Sequence, residues 1–316
     1  FIKKNMFLII NAMSLSVQKI VDPTLLGEGP HWDDKQQALY FVDINLKSIN
    51  KYVPATGAHT KTFLEGRVGF IVPVDGTDDQ FVVGVERKFL IIQWDGENDS
   101  KVKVVKELGE VDQDVPTNRI NDGKADPKGR LYAGTMGHED SLGNFAMEKG
   151  SLYRLDRRGI VKMCSGVSIS NGLAWDLREK AMYYNDSLEG KIRRYDYDVD
   201  TGDISNLKYI FDFKKNNIDG FPDGMTIDTD GNLWVANFDG SCVLKIDPKA
   251  GSVLQKIPIP AKQVTSVTFG GTNLDVLFVT TASMNIKEEQ KPPCGSTFMV
   301  LGLGVKGHPN DKFKLS

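Results

Sequence analysis

One unit of sequence recurs along this chain, and it is too short to bury an apolar face by itself. Glu28, Asn121, Asn171 and Asp223 each stand five residues before an aspartate: Asp33, Asp126, Asp176 and Asp228. After each aspartate a short polar turn gives way to a strand-like run: Leu39-Tyr40-Phe41-Val42, Leu131-Tyr132-Ala133-Gly134, Met182-Tyr183-Tyr184 and Leu233-Trp234-Val235-Ala236. Two more units, beginning near Val68 and Thr265, keep the strand runs (Phe81-Val82-Val83 and Val276-Leu277-Phe278-Val279) but have no polar leader. Third strands end alike, as in Leu152-Tyr153-Arg154-Leu155-Asp156, Ile192-Arg193-Arg194-Tyr195-Asp196 and Val243-Leu244-Lys245-Ile246-Asp247. Sustained helical periodicity is missing, and turn signals such as Asp95-Gly96, Pro127-Lys128-Gly129 and Asp230-Gly231 separate the runs. Six such units, at a period of roughly 40–53 residues, predict an all-β, six-bladed propeller, because each sheet must stack on its neighbours and ring closure removes exposed edges. The last unit is one strand short, and Ser16-Val17-Gln18-Lys19-Ile20 is expected to complete it from the other end of the chain.

The chain has 316 residues, 40% hydrophobic, with a formal net charge of −3. Length alone suggests two domains, but large all-β folds run this long as one. No linker or composition break divides it, so residues 13–316 are read as a single propeller domain. Residues 1–12 are expected to be a disordered leader or cloning remnant, with Met13 as the natural start; Lys3-Lys4 and the apolar run Met6–Ile10 look like a shortened signal peptide. No basic stripe with interleaved aromatics points to nucleic acid, and no apolar segment is long enough for a membrane span. Three cysteines, Cys164, Cys242 and Cys294, are an odd number without Cys-x-x-Cys spacing, which favours a reducing compartment and a cytoplasmic protein. A monomer is expected. The sequons Asn98-Asp99-Ser100 and Asn185-Asp186-Ser187 matter only for a secreted chain.

In a propeller the innermost strands run along a central channel, so equivalent positions of successive blades face one another at one mouth. Glu28, Asn121, Asn171 and Asp223 are such a set. Two carboxylates and two amides converging there suit a hard divalent cation, which relieves the repulsion between Glu28 and Asp223. Oxygen donors favour Ca²⁺, Mg²⁺ or Mn²⁺, and Zn²⁺ also accepts carboxylate oxygen. None of the four histidines (His31, His59, His138, His308) is paired at ligand spacing. The competing reading is that the leaders only cap turns. That suits the downstream aspartates, but it does not explain why two of six units abandon polarity at the leader. Asp196-Tyr197-Asp198-Val199-Asp200 begins like an EF-hand loop, yet its glycine arrives late and its twelfth position is Leu207, so it is read as a hairpin turn. Strand alternation turns Arg119 the same way as Asn121. Its guanidinium either holds an oxygen-rich substrate or pairs with a neighbouring carboxylate.

Together, Leu26-Gly27-Glu28-Gly29-Pro30-His31-Trp32, Asn118-Arg119-Ile120-Asn121-Asp122-Gly123-Lys124, Gly134-Thr135-Met136, Ile169-Ser170-Asn171-Gly172-Leu173-Ala174-Trp175, Pro222-Asp223-Gly224 and Gly302-Leu303-Gly304-Val305-Lys306-Gly307 resemble the regucalcin (senescence marker protein), gluconolactonase and luciferin-regenerating enzyme family over roughly residues 16–307. The resemblance implies a six-bladed propeller holding one catalytic divalent cation (Ca²⁺, Zn²⁺, Mn²⁺ or Mg²⁺). By the family's motifs its ligands fall on Glu28, Asn171 and Asp223, and substrate contacts fall on Arg119, Asn121 and Glu139. It further implies metal-dependent hydrolysis of a sugar lactone, with Asp223 as the catalytic residue. The alternatives are a luciferin-regenerating enzyme acting on oxyluciferin, for which Phe145 and Met147 would serve as apolar lid residues, and a non-catalytic calcium-binding regulator. The loop from His138 to Lys149 is expected to overhang the mouth.

Overall fold

A computed structural model describes residues 14–140, 144–286 and 288–315; the expected leader at 1–12 and the start at Met13 lie outside them. Among the described residues, twenty-four strands form six four-stranded antiparallel sheets. Blade 1 comprises Gly27–Asp33, Ala38–Asp43, Ser48–Val53 and Ala58–Phe63. The innermost strands of blades 2 to 6 are Val68–Pro73, Arg119–Ala125, Ser170–Asp176, Phe221–Ile227 and Gln263–Gly270. Each innermost strand packs against the next, and the sixth against the first, so the ring closes. This is the six-bladed propeller that the repeat predicts. The expected closure is also present: Ser16–Val21 pairs antiparallel with Thr297–Leu301 as the outermost strand of blade 6. The sole helix among the described residues is one 3₁₀ turn, Ser187–Glu189, and no helix is long and apolar enough to cross a membrane.

The core is divided among the six seams between blades. Tyr40, Phe81 and Trp94 fill the seam of blades 1 and 2. Phe70, Phe89 and Tyr153 fill the next, and Tyr132, Trp175 and Tyr197 the one after. At the closing seam Trp32 of blade 1 stacks on Phe278 of blade 6, their ring centroids 5.2 Å apart. Alternation explains this placement: one face of every strand meets the blade before it and the other face the blade after, so most strands read as apolar on both faces.

The aspartates that follow the leaders hold turns, as their spacing predicts. Asp33 Oδ1 accepts the N–H of Lys35 and Gln36, Asp126 Oδ1 those of Lys128 and Arg130, Asp176 Oδ1 those of Arg178 and Glu179, and Asp228 Oδ1 those of Asp230 and Asn232. The EF-hand-like stretch is a hairpin turn, in which Asp198 Oδ1 accepts the N–H of Asp200 and Thr201. Of the two sequons, Asn98 is exposed, whereas Asn185 is buried in blade 4.

The C-terminal segment takes a role that its sequence does not announce. After blade 6 it crosses the end of the propeller where the innermost strands finish. Gly307 bridges to Asp228, Phe313 bridges to Val74, and Lys312 Nζ lies 2.8 Å from Asp33 Oδ2. Phe313 is buried in the blade 2/3 cluster. Phe313→Ala is expected to lower unfolding stability by about 3–5 kcal/mol, the usual cost of truncating a buried phenylalanine. Equilibrium denaturation measures this, and a loss below about 1 kcal/mol would show the segment to be only loosely attached.

Candidate metal and substrate site

Each innermost strand carries a register break near its start. The breaks fall between Glu28 and His31, Val68 and Ile71, Ile120 and Asp122, Ser170 and Leu173, Pro222 and Met225, and Val264 and Ser266. Such bulges bend a strand and re-aim one side chain. Glu28, Asn121, Asn171 and Asp223 sit at or within these breaks and all line one cavity of about 310 Å³ at the channel mouth. The equivalents in blades 2 and 6 are Val68 and Thr265; neither lines the cavity, and the Thr265 hydroxyl is engaged by the Gly27 carbonyl and Thr280, so the set facing the cavity comes from four blades. Close approach of neighbouring blades demands glycine beside three of the four leaders, Glu28, Asn171 and Asp223. A Cβ on Gly172 would sit 2.5 Å from the Met225 nitrogen and 2.6 Å from the Asp223 carbonyl oxygen.

Hydrogen bonds separate the roles of the two amides. Ser187 Oγ donates to the Pro222 carbonyl at 2.7 Å, so its remaining capacity is as an acceptor, and it accepts from Asn171 Nδ2 at 2.8 Å. That fixes the amide and leaves Asn171 Oδ1 buried without a partner. Asn121 has both ends engaged: Nδ2 donates to the Ser170 carbonyl and Oδ1 accepts from Arg119 Nη1, each at 2.7 Å. Asn121 therefore orients Arg119, while Asn171 presents a free oxygen. Arg119 makes no ion pair among the described residues, and burial lowers its pKa to about 10.

Glu28 and Asp223 are both buried and lie close enough for each to act on the other's titration. Burial, then the charge of Asp122, holds Glu28 well above the usual carboxylate range. Burial, then the charges of Glu28 and Asp122, does the same to Asp223. Asp223 Oδ1 also lacks a partner. Two buried carboxyls that repel when ionised, with unpaired oxygens on Asp223 and Asn171, fit a divalent cation. The set has only two ionisable donors, and no cluster of three His, Cys, Asp or Glu side chains at metal-holding spacing occurs among the described residues. A cation here would rely on the Asn171 amide as its third protein ligand.

The remaining site residues fall around this centre. Arg119 lies on the cavity floor, and Glu139 is exposed at the rim, near enough in charge to act on Arg119. Of the two anticipated lid residues, Phe145 lines the cavity, whereas Met147 is exposed and outside it. All three cysteines are free thiols and none lines the cavity. Two supporting residues escape the leader pattern: Ser187, and Asn185, whose Nδ2 holds the Asp223 carbonyl at 2.7 Å. A signal for Asn185 does exist, because Asn237 recurs nine residues after Asp228 as Asn185 does after Asp176. Asp122 is a third buried carboxyl below the site, raised to about 6 by burial.

Comparison with known proteins now adds to this geometry. The SMP-30/Gluconolactonase/LRE-like region matches residues 26–283. The chain belongs to this family. It is 37% identical to regucalcin of Gallus gallus over 288 residues, which is 90% of this chain and 93% of the relative. A solved luciferin-regenerating enzyme superposes with a TM-score of 0.90 at 40% identity, covering 96% of this chain and all of that one. A calcium-binding regucalcin from Agrobacterium tumefaciens shares the fold, with a TM-score of 0.83 at 24% identity over 95% and 98% of the two chains.

The metal-free protein holds the Glu28 and Asp223 carboxyls above their unfolded-chain values, so each gives up its proton at higher pH than it does in the unfolded chain. Its stability is therefore expected to be greatest near the ordinary carboxylate range and to fall as pH rises through the elevated folded-state values. A saturating divalent cation should flatten that slope, and melting curves across pH with and without cation test it. Ser187→Ala frees the Asn171 amide to turn and is expected to weaken cation affinity by roughly 10–100-fold; titration calorimetry giving unchanged affinity would remove Ser187 from the site.

Proposed function

We propose that this protein is a divalent-cation-dependent hydrolase that opens a lactone. The observation that carries the reading is the pair of orphaned oxygens, Asn171 Oδ1 and Asp223 Oδ1, beside Glu28 and the buried Arg119 guanidinium, which makes no ion pair among the described residues, in a single cavity. Glu28, Asn171 and Asp223 would hold the cation. When bound, the cation supplies Lewis-acid polarisation of an acyl oxygen and neutralises the buried carboxylates.

The chain's own residues do the rest. Arg119, steadied by Asn121, presents N–H groups in a fixed fork to the oxygens of the substrate, and Glu139 at the rim accepts from a substrate hydroxyl. Asp223 accepts the proton of the attacking water at the carboxylate oxygen that does not hold the cation. Water oxygen bonds to the acyl carbon, the ring C–O bond breaks, and the proton passes on to the departing alkoxide. The product is an open-chain hydroxy acid. Membership of the family points to a sugar lactone such as glucono-1,5-lactone as substrate.

The test is hydrolysis of glucono-1,5-lactone and of dihydrocoumarin by chelator-stripped protein, with Ca²⁺, Mg²⁺, Mn²⁺ and Zn²⁺ returned singly. Turnover of at least one lactone should reappear with a cation and fall at least about a hundredfold in Asp223→Ala. Arg119→Lys, which keeps the charge but loses the fork, should raise KM more than it lowers kcat. Full activity in Asp223→Ala would sink the reading. Saturable calcium binding without turnover of either lactone would replace it with a calcium-binding role, in keeping with the description of the Agrobacterium relative.

A further inference from the structure

The cavity has two zones of opposite character. Its floor is polar and is made by Glu28, Arg119, Asn121, Asn171 and Asp223. Its walls are largely apolar. On one side Leu26, Phe238 and Met284 form a continuous surface backed by the blade 1/2 core, and on the other stand Phe145, Ile169 and Leu188. Two of the polar side chains beside these walls, Arg67 and Asn45, have partners of their own. Arg67 is bound through Nε and Nη2 to the Glu86 carboxylate, and Asn45 Nδ2 contacts Met284 Sδ at 3.5 Å. Towards solvent the lining turns polar, with Asn45, Thr117, His138 and Glu139 exposed around the rim.

A ring bearing a hydroxyl on nearly every carbon would lose water at such walls without regaining hydrogen bonds, and that is unfavourable. A ligand with one oxygen-rich end and an apolar body would place its acyl group on the floor and its body against the aromatic walls. We infer that the site selects a lactone whose ring is fused to, or carries, an aromatic or alkyl group, and that Phe145 and Phe238 set this specificity. The inference rests on the hydrolase reading for its reacting group, but the shape and polarity of the cavity carry the choice of substrate body independently.

The experiment separates the two. With the cation-loaded full chain, kcat/KM for dihydrocoumarin should exceed that for glucono-1,5-lactone by at least about tenfold, the usual weight of a well-filled apolar contact. Phe145→Asn and Phe238→Asn should each lower that ratio by about tenfold, with melting curves showing that both variants fold. In parallel, calorimetry measures binding of the two hydrolysis products, 3-(2-hydroxyphenyl)propanoate and gluconate, with no chemistry required. Tighter binding of the aryl acid, weakened in both variants, supports the inference even if neither lactone turns over; that outcome removes the hydrolase reading alone. Equal or tighter binding of gluconate, equal or faster turnover of the sugar lactone, or an unchanged ratio in both variants would overturn the inference.

Discussion

Everything at the mouth of this propeller depends on how closely the six innermost strands approach one another around the axis. A register break at the start of each strand turns one side chain inward, and in blades 1, 2, 4 and 5 a glycine directly after it lets the next blade's backbone close in. Gly69 shows the same requirement, since a Cβ there would lie 2.7 Å from the Asn121 carbonyl oxygen. The close approach also lets one blade hold another's backbone. Asn185 of blade 4 fixes the Asp223 carbonyl of blade 5, and Asn121 of blade 3 fixes the Ser170 carbonyl of blade 4.

That rigidity allows two carboxyls to be buried face to face. Glu28 and Asp223 would separate, or draw in water, on a yielding scaffold, because ionised neighbours in a buried site repel strongly. Here the apolar seams hold the strands in place, and the electrostatic conflict is left for a proton or a cation to resolve. The C-terminal segment adds to this by covering the far end of the channel, where Lys312 meets Asp33 and Phe313 is buried. The site is thus approached from one mouth, and the walls of that mouth meet the substrate before the floor does.

Different parts of the site were legible in the sequence to different degrees. The leaders stood out because the aspartates five residues later mark the phase of each repeat. Asn185 carried a weaker trace in the recurrence of Asn237. Ser187 carried none: it lies in a single 3₁₀ turn, and its importance comes from hydrogen bonds to Asn171 and Pro222. The distinction between Asn121 and Asn171 was equally hidden. Both are leading asparagines, and only the partners supplied by Arg119 and Ser187 show which amide oxygen is free.

The sequence by itself determined the number of blades, the all-β class, the completion of blade 6 by Ser16–Val21 and the four polar leaders, because each follows from local periodicity and turn chemistry repeated in phase. Only the tertiary structure decided the direction in which each leader's oxygen points, the elevation of the Glu28 and Asp223 pKa values, the apolar walls and the covering of the far channel end. Those properties arise from groups distant in the chain meeting in a space closed to water. Burial, partner geometry and charge proximity are set there by the ring as a whole, and no single repeat contains them.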